Sequence, residues 1–458
     1  MRRAVLIVVV LAVVAGAGFG LLAVNRGPQW TTSSPEALAE LDMALEARMK
    51  LYVPDAAAHA RRALELDPDF VAAKLQVWDL RHYAGDVDTD AIWNDLETVD
   101  VSRLTPRERL LVLRARAMKK EQDDEAGRLV EEYLEAHPDD PFVLDIKARM
   151  AWTAGEMELA EQVCKHLVDV SPNWVYGYNL LGYVTMSQSR FAEAEEYFTS
   201  YRFIAPDQAN PHDSLGELYI VLGRYDDAVA SLEEAIRIKP DFLNSYGHLA
   251  LVHLIRGDFD AARDAAVRLA KVSPESAQMI TTLDCVIKYL ELEREHRWKA
   301  INDLDGSDCC QWPDVDGNVM RITHRAAVAS GHVDRALAIE DLLRTLIDEK
   351  TAEAGAKIDK SADAFARALL EHMAGVRLAL GGKLDQAVAS LEQADDRLNY
   401  ISADQAFFKL WNRLVLVEVL RGLGHEVDAH QLLDKVRVVN PALVQGFEDT
   451  DMKVLGIR

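Results

Sequence analysis

The sequence predicts an all-α chain built from helical hairpins that repeat along most of its length. Three observations lead there. Small, aromatic, small and proline positions recur in that order at a spacing of 34 residues. They do so in phase over three consecutive stretches. No segment shows a strand-like alternation of apolar and polar residues of useful length.

The recurring positions are Leu181-Gly182, Leu215-Gly216 and Leu249-Ala250, then Phe191, Tyr225 and Phe259, then Ala194, Ala228 and Ala262, and finally Pro206, Pro240 and Pro274. Each has a physical reason. Gly182, Gly216, Ala194 and Ala228 sit where paired helices approach too closely for a larger side chain. The aromatic residues open the second helix and fill the gap to the next repeat. Gly223 and Gly257 fall in the tight turn just before them, where lacking Cβ costs least. Proline punctuates one unit from the next because a helix tolerates it only in the first turn.

A helix–turn–helix unit with this period and order resembles the tetratricopeptide repeat. The resemblance implies an α-solenoid, a right-handed superhelix whose repeats contact their neighbours and bind other proteins. Weaker units keep the same phase outward. One lies at 141–174 (Ala148, Gly155, Ala160, Pro172), one at 107–140 (Ala126, Tyr133, Pro138) and one at 37–70 (Ala44, Ala56, Ala63, Pro68), while 71–106 carries two extra residues. Past Pro274 the register lapses, then returns at Gly331 and Ala336, at Gly375, Gly382, Ala387 and Ala394, and at Gly424, Ala429 and Pro441. The expected division is an N-terminal array at 37–276, an irregular connection at 277–316, a C-terminal array at 317–443 and a polar capping tail at 444–458.

Before the repeats, Arg2-Arg3 precedes a run from Ala4 to Val24 without a charged side chain. Twenty-one helical residues span about 32 Å, enough for a bilayer core. Residues 1–26 therefore read as a signal-anchor, with Ala15-Gly16-Ala17 leaving a cleaved secretory signal open as the alternative. In both cases the basic flank stays cytoplasmic and the repeats are exported, periplasmic or extracellular. Residues 27–36 read as a linker, and Ser34-Pro35-Glu36 as a helix start.

The chain carries 51 Lys+Arg against 75 Asp+Glu, a net charge of −24. That balance lacks the basic footprint nucleic acid requires and argues against docking of the repeats on anionic lipid. Cys164 falls at a packing position in its repeat. Cys285, Cys309 and Cys310 leave a disulfide open without establishing its connectivity. The acidic stretch 303–318 lacks the glycine and spacing of a calcium loop, and no zinc, phosphate-loop or nucleophile motif occurs. No cofactor, small-molecule substrate or catalytic residue is expected, so the chain reads as a non-enzyme.

The resemblance also places the first helix of each unit on a peptide-binding groove. Carried over position by position, it names Tyr176, Asn179, Tyr183 and Met186, then Asn210, Asp213, Glu217 and Ile220, then Asn244, His248, Leu251 and Leu254. Amides and rings suit an extended peptide. Family members that hold a terminal carboxylate combine Asn with Lys or Arg; here Asp213 and Glu217 would repel an acid. The implied partner is an unknown protein presenting a neutral or basic, partly apolar peptide. The alternative is a structural subunit of an envelope assembly that does not use its groove.

Overall fold

The computed structural model describes residues 29–83, 85–304, 317–354 and 360–449. Ordered structure there is helical, and it falls into two compact units that divide between Met150 and Ala151. The expected division at 277–316 is thus displaced. The segment 1–26 lies outside the described residues; among those residues no helix is long and apolar enough to cross a membrane.

The first unit begins with α1 (Pro35–Met49) and α2 (Val53–Leu66), followed by α3 (Val71–Asp79), α4 (Thr89–Thr98), α5 (Pro106–Lys119), α6 (Asp123–Ala136) and α7 (Pro141–Ala154), the last crossing the boundary. Ser34 caps α1 as expected, its Oγ accepting from the Ala37 amide at 3.1 Å. Thr105 and Glu108 form a reciprocal capping box at α5. The linker expectation for 27–36 needs correction. Trp30 is buried edge-on against Phe142, and the Thr31 amide donates to the buried Glu108 at 2.8 Å. Residues 29–34 are therefore a strap held by an aromatic anchor and a buried carboxylate.

The second unit opens with α8 (Met157–Val170). Three well-formed hairpins follow: α9 (Val175–Ser187) with α10 (Phe191–Ile204), α11 (Ala209–Val221) with α12 (Tyr225–Ile238), and α13 (Leu243–Arg256) with α14 (Phe259–Val272). The small positions are required. A Cβ on Gly182 would meet Phe198 at 2.3 Å, and one on Gly216 would meet Leu232 at 2.6 Å.

The stretch expected to be irregular is largely helical, as α15 (Gln278–Arg294) and α16 (Trp298–Asp303). Residues 305–316, with the acidic cluster's centre and Cys309-Cys310, lie outside the described residues. A buried ion triad joins α15 to the next element. Glu293 accepts from Arg321 at 3.1 Å through both oxygens and from Arg325 at 3.0 Å. Those arginines lie on α17 (Gly317–Ala329), which turns at Gly331 into α18 (Val333–Ala354).

Two more hairpins complete the unit: α19 (Lys360–Leu380) with α20 (Leu384–Arg397), and α21 (Ala403–Gly422) with α22 (Glu426–Val439). A Cβ on Gly375 would meet Leu391 at 2.7 Å, as one on Gly216 would meet Leu232. The expected polar tail from 444 instead continues a short helix, α23 (Pro441–Asp449), that buries Val444 and Phe447.

Each hairpin turn places one residue in the left-handed region, and the position recurs every 34 residues: Glu121, Gly155, Ser189, Gly223 and Gly257, with φ from 60° to 79°. The following amide reaches back five residues in each, as Arg190 N does to the Thr185 carbonyl at 2.9 Å. A side chain there costs about 1–2 kcal/mol of local strain, partly offset by the unfolded chain's extra freedom with glycine. Ser189→Gly should therefore stabilise the unit by about 0.5–1 kcal/mol in urea unfolding. A loss of stability would contradict this turn geometry.

Candidate functional site

The first helices α9, α11 and α13 stand side by side, so their inward residues share one face. Five of the groove candidates meet in a polar network. Ser214 Oγ donates to Asn179 Oδ1 at 2.9 Å, and the Tyr183 hydroxyl donates to Glu217 Oε2 at 2.8 Å. Ser245 Oγ donates to Asp213 Oδ1 at 2.7 Å, with His248 Nδ1 3.1 Å from the same oxygen. Both serine protons are thus committed to acceptors. The other candidates are placed differently. Met186 is buried in the core, and Asn210, also buried, donates to Tyr201 on α10 at 3.2 Å, so both pack between repeats. Tyr176 is half-buried and Asn244 exposed.

The electrostatics favour a donor as occupant. Burial pushes the Glu217 carboxyl up from its ordinary range, against the pull of His248 and of the Ala403 amide. Burial opposes the charge on His248, yet Asp213 and Glu217 hold it up to about 10, so it is an imidazolium at neutral pH. Burial, reinforced by Glu217 and Asp213, drives the Tyr183 hydroxyl well above its usual range. Two carboxylates thus share one cation and accept one further donor.

The chain supplies that donor itself. The Ala403 amide, first of α21, donates to Glu217 Oε1 at 2.9 Å. An anionic side chain at a helix N-terminus meets unpaired amides and the positive end of the helix dipole. Ser402 caps the same helix. Further along the array, Asn440 reaches back to the end of α11. Its Nδ2 donates to the Val221 carbonyl at 3.1 Å, and its Oδ1 accepts from the Leu443 amide at 2.9 Å. The aromatic residues expected to fill the gaps between repeats also meet this returning segment. Phe191 stands edge-on to Tyr400 with ring centroids 5.1 Å apart, and the Tyr225 hydroxyl lies 3.4 Å from Asn440 Oδ1. One continuous apolar core runs from Met186 to Leu269 and on through Val376 to Phe447. The face shared by these first helices is therefore covered in part by the chain's own C-terminal hairpins.

Sequence reasoning missed Tyr400, Ala403 and Asn440, since a contact 186 to 220 residues away leaves no periodic trace. The one signal present was the inward pair Asp213 and Glu217, an acidic demand that an apolar peptide would not satisfy. Among the described residues, no group of three or more His, Cys, Asp or Glu is placed to hold a metal ion.

Residues 214–278 match the family described as tetratricopeptide repeat. No curated protein is significantly similar to the chain. Among solved structures, TTC0263, a thermophilic tetratricopeptide protein of Thermus thermophilus, is 23% identical, with 39% of this chain and 98% of that one covered and a TM-score of 0.34. PilF of Pseudomonas aeruginosa is 15% identical over 52% of this chain and 92% of its own, at a TM-score of 0.31. A tetratricopeptide protein from Parabacteroides merdae ATCC 43184 is 11% identical over 64% and 93%, at 0.37. Residues 214–278 thus match the tetratricopeptide repeat, and the same close-packed hairpin recurs on either side of them.

Proposed function

We propose that this protein is a non-catalytic protein–protein interaction scaffold, tethered to a membrane by residues 4–24 with its repeats on the exported side. Its inner face over 175–256 is a seat for a helix start, occupied in the free protein by α21. A partner that uses this face competes with α21 or binds at its exposed margin beside Asn244. The observation that supports this reading is the Glu217 carboxylate accepting the first amide of α21, a polar recognition event inside the repeat array. The apolar run and its basic flank support the tether and the direction of export.

An occupied groove is also what a structural subunit of an envelope assembly would have, its partners meeting outer helices instead. One experiment separates the two. A photoreactive side chain is placed at Asn244, or at Glu196, which is exposed on the second helix α10. A discrete intermolecular adduct from Asn244 in intact membranes is the expected result. Adducts from Glu196 alone would reject groove binding in favour of the structural subunit.

A further inference from the structure

The polar network beneath α21 sets one base between two acids. His248, half-buried on α13, turns each ring nitrogen towards a different carboxylate of α11. Its Nδ1 lies 3.1 Å from Asp213 Oδ1, and its Nε2 lies 3.8 Å from Glu217 Oε1. A neutral imidazole carries a lone pair on one of its two nitrogens, and here that lone pair would face an oxygen anion. Only the imidazolium presents an N–H to both.

The remaining groups at the seat leave that role to His248. Ser245 on α13 and Tyr183 on α9 each give one hydrogen, to Asp213 and Glu217 respectively. α21 gives the Ala403 amide to Glu217 Oε1, the same oxygen that faces His248. It also brings Asp404, a third acid that acts on His248 together with Asp213 and Glu217. Asp213 and Glu217 are 2% and 5% exposed, so beneath the docked helix water does little to solvate their charge. With α21 lifted away, water would solvate both.

We propose that docking of α21 on the inner face is proton-coupled: the seat closes with His248 protonated and loosens as pH rises. This coupling rests on the reading of the face as a seat for a helix start, and it gives that seat a regulator. Burial opposes the charge on His248, but Asp213 and Glu217 outweigh it and hold the imidazole up to about 10. A solvated histidine titrates near about 6.5. A base held up in the docked state contributes fully below about 6.5 and loses that contribution as pH rises through about 10. Burial pushes the Glu217 carboxyl up as well, against the pull of His248 and the Ala403 amide, so it too holds a proton more tightly when covered. One proton taken up on docking changes the docking equilibrium by up to about 10-fold per pH unit between those limits. A partner that competes with α21 would therefore gain the face more readily as pH rises.

The test uses the full-length protein in detergent. Hydrogen exchange over 398–408 is read by mass spectrometry from about pH 6 to about pH 9 and corrected for the intrinsic pH dependence of exchange. The expected result is protection that falls by up to about 10-fold per pH unit above neutral, while the amides of α5 in the first unit show no such fall. His248→Gln should lower protection at neutral pH and abolish its pH dependence. Glu217→Gln keeps an acceptor for the Ala403 amide but removes one acid, so the fall should level off at least about one pH unit earlier than in the parent. Protection in the parent that does not change with pH would overturn the coupling, a comparison that needs no variant to fold. So would a fall in His248→Gln or Glu217→Gln identical to that of the parent. A seat indifferent to pH leaves the Asn244 crosslink unaffected, and a missing Asn244 adduct leaves the pH dependence unaffected, so failure here and failure of the scaffold reading are distinguishable.

Discussion

Glu293→Leu should destabilise the second unit by about 3–5 kcal/mol, the range for removing one partner of a buried ion pair. Glu293 is 9% exposed, and the two arginines it binds, Arg321 and Arg325, are 8% and 7% exposed. Leucine fills comparable space but leaves two desolvated guanidiniums facing each other. Arg321 then keeps the ring face of Trp411 and Arg325 that of Trp298, with Glu418 the remaining carboxylate that acts on Arg325. Urea unfolding followed by tryptophan fluorescence measures the loss. The triple variant Glu293→Leu, Arg321→Met, Arg325→Met removes the three charges of the triad together, leaving Glu418, and should lose less stability than Glu293→Leu alone. If Glu293→Leu and the triple variant fall equally, the triad acts through packing and not through charge.

The same triad sets an acid limit. Burial alone would raise the Glu293 carboxyl, but Arg321 and Arg325 outweigh it and the net shift is down. A carboxyl lowered in the folded state stabilises fully above its unfolded pKa, near about 4.3, and loses that contribution as pH falls through the lower folded value. The parent should therefore lose stability below pH 4 more steeply than the triple variant.

Which features were legible in the sequence follows from the range of the forces involved. The hairpins were legible because Gly182, Gly216 and Ala228 answer a local demand, the approach of two helices joined by a short turn. Such demands recur with the repeat and print a period. The Ser34 cap was legible for the same reason. The left-handed turn position was only half legible, since Glu121 and Ser189 occupy it without being glycine. The contacts that shape the candidate site were not legible. Glu217 with Ala403, Asn440 with Val221 and Glu293 with Arg325 join residues at separations of 186, 219 and 32 that no repeat generates. A groove position carried over from a resemblance assumes an open face, and the chain's own return onto that face is a tertiary event. Asp213 and Glu217 were read as repelling an acid, which is consistent with their holding an amide.

That return can be tested at Gly223, where a turn conformation and a long-range contact coincide. Gly155 and Gly223 hold the same turn position, with φ of 79° and 71°. A Cβ on Gly155 would meet nothing within 4 Å, whereas one on Gly223 would come within 2.2 Å of Asn440 Oδ1. Gly155→Ala should therefore cost only the left-handed strain, about 1–2 kcal/mol. Gly223→Ala should cost that strain plus displacement of Asn440 from the Val221 carbonyl, about 1–3 kcal/mol more. Removing the obstructing side chain changes the arithmetic. In an Asn440→Ala background most of the extra cost of Gly223→Ala should be relieved, with Ala442 Cβ left 3.2 Å from the new methyl, giving a coupling of about 1–3 kcal/mol, while Gly155→Ala should remain additive with Asn440→Ala within about 0.5 kcal/mol. Coupling arises only if the junction of α22 with α23 and the end of α11 touch in solution. Additivity at both glycines would mean that the C-terminal hairpins do not rest on the groove, and the seat for α21 would then be open to a partner without competition.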